Sequence, residues 1–181
     1  MSETIHIRRA CRKDAGEIGR IHVEATRAAY NGIYSDDYLQ SLSVEERTAR
    51  WIEKGKGHLA MDDPDFAVFV AFLNDRMIGF ADVGPAAKFE SPKQAELYAI
   101  YLDPKHVGKG AGKDLFLASM KHASKRVFHS MKADVLSKNF LARTFYQRMQ
   151  GRPLYQTEKL IQTGGVKENI ITYQWPSLQQ P

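Results

Sequence analysis

The residues best suited to chemistry lie in one stretch, Leu102-Asp103-Pro104-Lys105-His106-Val107-Gly108-Lys109-Gly110-Ala111-Gly112-Lys113. Three glycines at alternate positions separate an apolar segment that reads as a strand from a segment with helical periodicity. Glycine lets the main chain approach a ligand with no Cβ in the way, and it tolerates positive φ. The first N–H groups of a helix have no internal partner and stand at the positive end of its dipole. Such a junction is an anion site suited to a pyrophosphate, and Lys109 and Lys113 add charge at its rim. Two nucleotide signatures fail on spacing. A Walker A loop around Gly112-Lys113 needs glycine and then Ser or Thr where Val107 and Asp114 stand. A dinucleotide fingerprint needs its third glycine where Lys113 or Leu115 stands.

A second segment, Asn139-Phe140-Leu141-Ala142-Arg143-Thr144-Phe145-Tyr146 followed by Gly151, puts Asn139, Ala142 and Tyr146 on one helical face. Together the two segments resemble the GNAT superfamily of N-acetyltransferases. The first resembles the family's coenzyme A loop, Arg/Gln-x-x-Gly-x-Gly/Ala, through Gly110 and Gly112. It departs at Val107, where Arg or Gln is usual and where only the backbone N–H can reach a phosphate. The second resembles the family's Asn-x-x-Ala-x-x-Phe-Tyr segment, in the family's order and with a strand between the two.

The resemblance implies an α/β fold: one GNAT-type domain over residues 1–181, with a mixed, mostly antiparallel central sheet flanked by helices. It implies acetyl-CoA as co-substrate, no metal, and acetyl transfer to a primary amine of a small molecule (polyamine, amino acid or similar) or of a peptide. Transfer would be direct, in a ternary complex. A non-catalytic CoA-binding sensor or scaffold of the same fold is the alternative. The cofactor would contact Ile100, Leu102, Val107, Gly108, Lys109, Gly110, Ala111, Gly112, Lys113, Asn139 and Tyr146. The backbone N–H near Ile100 would meet the developing oxyanion.

By the same resemblance Tyr146 is the general acid that protonates the leaving thiolate, the alternative being an aromatic plug in the core. Glu96 is the general base, directly or through water, with solvation at a sheet edge as the rival account. A base is useful because an amine of pKa ~10 is only about a thousandth neutral at pH 7. Asn139 caps its helix, contacts the cofactor, or does both. Tyr30 and Tyr34, with Trp51, line the acceptor pocket or pack in the core. The histidines, with no metal-like spacing to one another, read as surface or packing residues.

These segments need elements to hold them. Ile5 and Ile7 alternate as a short strand, and Asp14 is placed to cap a helix that Asn31-Gly32 stops. Asp36 to Glu53 reads as two short helices, because Ser43 and Glu46 form a capping-box pattern. Phe66–Leu73 and Met77–Val83 read as a hairpin turning at Asn74-Asp75. Ala95–Leu102 reads as a well-buried strand, and a helix over 110–128 carries Phe116, Met120, Ala123 and Val127 on one face. Val135-Leu136 is a short strand and Asn139–Met149 a helix; Leu154–Ile161 and Ile170–Trp175 pair through Gly164-Gly165.

Bulk properties agree. A chain of 181 residues with 43% hydrophobic and 26% charged residues fits one globular domain. One cysteine, Cys11, makes no internal disulfide and suits a reducing cytoplasm. The start lacks the order of a signal peptide, and the longest apolar run, Phe66–Leu73, is too short to cross a bilayer. The expected location is therefore cytoplasmic, with no membrane partner. A net charge of +5 favours some polyanion, but no zinc-finger spacing, RNP pattern or basic helix points to nucleic acid. A homodimer is frequent among relatives.

Overall fold

Alternating apolar residues give each central strand two usable faces, and the protein covers both. The computed structural model describes residues 4–53, 58–59, 63–86, 93–163 and 166–178, with backbone only for 156–163 and 166. Seven strands form one sheet in the order β1-β2-β3-β4-β5-β7-β6. They are β1 (Ile5–Arg9), β2 (Ala67–Leu73), β3 (Arg76–Pro85), β4 (Gln94–Leu102), β5 (Ser130–Leu136), β6 (Arg152–Thr163) and β7 (Val166–Trp175). Only β4 and β5 run parallel; the remaining pairs are antiparallel.

Helices α1 (Ala15–Ala29), α2 (Asp36–Ser41) and α3 (Val44–Ile52) lie toward one face of the sheet. There Ile18, Ile21 and Trp51 pack on Val68, Val70, Met77 and Phe80. Helices α4 (Ala111–Lys125) and α5 (Phe140–Arg148) cover the other face. On that side Leu115, Phe116, Met120 and Tyr146 pack with Leu97, Met131, Ala133, Tyr173 and Trp175. Gly19 allows α1 to approach α3 closely, since a Cβ there would strike Thr48.

Several expectations are corrected. Asp14 makes no side-chain cap on α1. Its carboxylate instead accepts from the Cys11 N–H at 2.8 Å and forks onto Arg8 at 2.8 Å per contact, closing a 3-10 turn that feeds the helix. Helix α4 ends at Lys125 and leaves Val127 61% exposed, outside the apolar face. β5 begins at Ser130, five residues earlier than its apolar end suggests. β4 is buried only at its start; from Tyr98 onward it is half-buried or exposed. Ser43 does cap α3, accepting from the Glu46 N–H. The Gly164-Gly165 turn lies outside the described residues.

Candidate active site

β4 and β5 pair over three residues only, Gln94–Glu96 against Ser130–Lys132. Beyond them β4 stays with β3 and β5 stays with β7, so the parallel pair opens into a wedge. At the same place β4 carries a bulge. Val83 faces Leu97 and Asp82 faces Ala99, which makes Tyr98 an extra residue. A bulge reverses the facing of everything after it. Accordingly Ala95, Leu97, Ile100 and Leu102 pack toward α4, whereas Ala99 and Tyr101 turn to the α1–α3 side. The bulge interrupts the β3–β4 ladder at the mouth of the wedge.

The glycine segment stands at the open end. Asp103, 1% exposed, holds its entry: Oδ1 accepts from the Lys105 N–H at 3.0 Å, and Arg76 lies 3.2 Å from Oδ2. Burial opposes ionisation of this carboxyl, but the Lys105 N–H and the nearby His106 and Arg76 outweigh it and keep its pKa below the usual range. Sequence reading passed over Asp103, although Asp-Pro is a cap signal with proline at the first helical position.

Gly108 and Gly110 have φ of +86° and +98°, a region that L side chains rarely adopt. Gly110 is the N-cap of α4 and brings no capping side chain. The first intrahelical bond comes from the Asp114 N–H, so the N–H groups of Ala111, Gly112 and Lys113 lack helical acceptors. No protein atom lies within 4 Å of where a Cβ would stand on Gly108 or Gly110. Gly112 lies against Phe145 and Leu102, where a Cβ would make ordinary contacts at 3.4 and 3.5 Å. Val107, Lys109 and Lys113 are exposed around the loop, and Ala111 is buried beneath it. An open helix N-terminus, two positive-φ glycines and flanking lysines fit a pyrophosphate.

Tyr146 on α5 is buried at the wedge, its ring packed on Tyr173 and Trp175. Gly151 fixes the end of α5, because a Cβ there would collide with Trp175 and the Tyr146 carbonyl. Burial, then Tyr30 and Asp134, raise the Tyr146 phenol above its ordinary value and keep it protonated. Those two groups belong to the α1–α3 side, so their charge is felt by the phenol across the opening between the strands. Tyr101, from the same side, is likewise raised by burial and by Tyr30, Tyr146 and Tyr34. Tyr30 and Tyr34 stack at 4.8 Å, and burial, then Tyr30 and Tyr38, push the Tyr34 phenol up to about 12. The structure thus gathers Tyr146, Tyr30, Tyr34 and an unforeseen Tyr101, while Trp51 goes to the core.

Asn139 is the N-cap of α5, its Oδ1 accepting from the Ala142 N–H at 3.1 Å. Its amide NH2 remains for another contact. Glu96 faces the α1–α3 side, 3.4 Å from the buried Lys132 ammonium, which also lies 3.9 Å from Asp134. Asp134 accepts from the Thr172 hydroxyl at 2.6 Å. Lys132 and Asp134 were missed because their charge hides the strand that carries them, although their alternation with Met131 and Ala133 was an available signal; Thr172 lies on a strand that was read, but a lone hydroxyl there carries no chemical signature of its own. Among the described residues no group of three His, Cys, Asp or Glu side chains could hold a metal, and no helix is long and apolar enough to cross a membrane.

A sheet split by one parallel wedge, with a glycine-opened helix at its mouth, defines an acetyltransferase architecture. The acetyltransferase (GNAT) family profile matches residues 23–151, and the chain belongs to that family. It is 30% identical over 175 residues to YuaI, an uncharacterized N-acetyltransferase of Bacillus subtilis, covering 96% of this chain and 94% of the relative. It is 27% identical over 149 residues to a spermidine N(1)-acetyltransferase of Thermoplasma acidophilum, covering 80% and 86%. The fold also matches yncA of Salmonella typhimurium, solved with its cofactor acetyl-CoA: TM-score 0.73 at 22% identity, over 98% of this chain and 95% of that one.

Proposed function

We propose that this acetyltransferase uses acetyl-CoA and moves the acetyl group to a primary amine of a small molecule or peptide, directly in a ternary complex. The observation that carries this reading is the protonated, buried phenol of Tyr146 at the wedge, beside a helix N-terminus left open by Gly108 and Gly110. The N–H groups of residues 111–113 hold the pyrophosphate, with Lys109 and Lys113 at its edge and the Val107 main chain beside it. The pantetheine arm follows β4 past Leu102 and Ile100 into the wedge, where the Asn139 amide and the main chain of β4 meet it. The thioester contributes a carbonyl that gains negative charge during transfer, and a main-chain N–H near Ile100 meets that charge. Tyr146 gives its proton to the departing sulfur.

On the opposite side Tyr30, Tyr34 and Tyr101 border the space where the acceptor stands. Glu96 is the carboxylate that receives the amine, directly or through water. A carboxylate already paired with Lys132 gains less from taking a proton, so its pull on the incoming ammonium counts for more than its basicity. Spermidine leads the acceptor panel because a relative is named for it. Polyamines, amino acids and an N-terminal peptide complete it.

The test is that panel with acetyl-CoA, following release of free thiol. Thiol release that depends on one amine class supports the reading. Cofactor binding without turnover of any amine would replace it with the sensor reading.

A further inference from the structure

His58 lies between α3 and β2, far in sequence from both motifs, and the structure brings it onto the α1–α3 side of the sheet. Its Nδ1 stands 2.7 Å from each carboxylate oxygen of Asp82 on β3. Asp82 is 4% exposed and faces Ala99 across the ladder, at the register break that makes Tyr98 a bulge. The imidazole therefore stands one strand away from the bulge of β4 at the wedge. Two rings wall it in, Phe66 at 4.4 Å and Tyr98 at 5.1 Å, and the Tyr98 hydroxyl is turned away to donate to the Pro85 carbonyl. Asp82 and Tyr98 are the titratable groups found against this ring among the described residues.

The dyad has a defined polarity. An ionised carboxylate only accepts hydrogen bonds, so Nδ1 carries the hydrogen and Nε2 keeps its lone pair. A carboxylate behind an imidazole also stabilises the imidazolium once Nε2 has taken a proton. Burial raises the Asp82 carboxyl, and the bond from His58 opposes that rise. Glu96, by contrast, is already engaged by Lys132.

We propose that His58, oriented by Asp82, is the base that takes the proton from the acceptor amine, while Glu96 draws the ammonium into place. This rests on the acetyltransferase reading above. The ammonium gives one proton to Nε2 of His58, and the freed nitrogen lone pair forms the N–C bond. The C–S bond breaks, its electron pair stays on sulfur, and Tyr146 supplies the thiol proton. The second nitrogen proton leaves as the amide forms and restores Tyr146. His58 then releases its proton to solvent, so the reaction produces an amide, a thiol and one proton.

The experiment measures kcat/KM for spermidine at saturating acetyl-CoA across pH, with CoA binding measured separately for every variant. In the wild type the rate rises with pH along one limb and levels off. In His58→Gln it falls about 10²-fold or more and keeps rising toward the amine's own range near ~10, with CoA affinity unchanged. Added imidazole restores turnover to His58→Gly, a response that a merely structural contact would not give. Asp82→Asn lowers kcat, and Glu96→Gln raises KM while keeping the wild-type limb. The proposal is overturned if His58→Gln retains wild-type turnover and profile, if Glu96→Gln removes that limb, or if the His58 variants lose CoA binding. A wild type that acetylates no amine of the panel would instead overturn the parent reading.

Discussion

Tyr146 and His22 show how burial decides what a titratable side chain can do. Tyr146 is a phenol held in its protonated form beside the wedge, so it can donate a proton and cannot serve as a base near neutrality. Tyr146→Phe keeps the ring packed on Tyr173 and Trp175 and removes only the donor. Steady-state kinetics should show kcat lowered about 10²-fold or more, with acetyl-CoA affinity within twofold of wild type. An unchanged kcat would remove the general-acid role. His22 packs among Trp51, Phe80 and Tyr101, and burial, then Arg47 and Arg50, depress its pKa to about 4. The unfolded chain takes up this proton first as pH falls, so the stabilisation is full above about 6.5 and is lost toward about 4. The linked loss is on the order of 3 kcal/mol. Denaturant titrations should show that slope in wild type and much less of it in His22→Phe.

At the scale of elements, the glycine loop and the turn before α1 each hold a structure that other residues would not. Gly110→Glu places a side chain at φ +98°, straining the backbone by roughly 1–2 kcal/mol, and sends a carboxylate into the open space over the α4 N-terminus. Calorimetry should find CoA affinity lowered at least tenfold while thermal unfolding stays cooperative; retained affinity would undo the loop's assignment. Asp14, held at about 2 chiefly by Arg8 against the cost of burial, stabilises the fold above its ordinary value near 3.8. That contribution is lost as pH falls from 3.8 to about 2. Asp14→Asn should lower stability by about 1–2 kcal/mol at pH 7, and the gap from wild type should close across that window.

These two elements were legible to different degrees. Gly108 and Gly110 announce their junction because few residues accept its geometry. Asp14 announced a cap but not its true partners, the Cys11 N–H and the Arg8 guanidinium, which meet it in the turn before α1 and not on the helix.

Over the whole molecule, the two chemical segments and most elements could be read locally, because strand alternation, caps and glycine breaks are local signals. The face where the acceptor would stand could be read only at Tyr30 and Tyr34, the rest of it lying on separate strands and a distant loop. It is assembled from Tyr30 and Tyr34 after α1, His58 before β2, Asp82 on β3, Tyr101 on β4, Asp134 on β5 and Thr172 on β7. Two features bring them together that no periodicity shows: the bulge at Tyr98, which reverses the facing of β4, and the early parting of β4 from β5. β5 itself read short because Lys132 and Asp134, the residues facing the cleft, interrupt its apolar pattern.

The proposed grip of the 107–113 main chain on the cofactor is tested most directly by an amide chemical-shift titration with CoA. The amides of Val107 through Lys113 should move most, with smaller shifts along Ile100–Leu102 and at Asn139. Saturable CoA binding that leaves the 107–113 amides in place would contradict it.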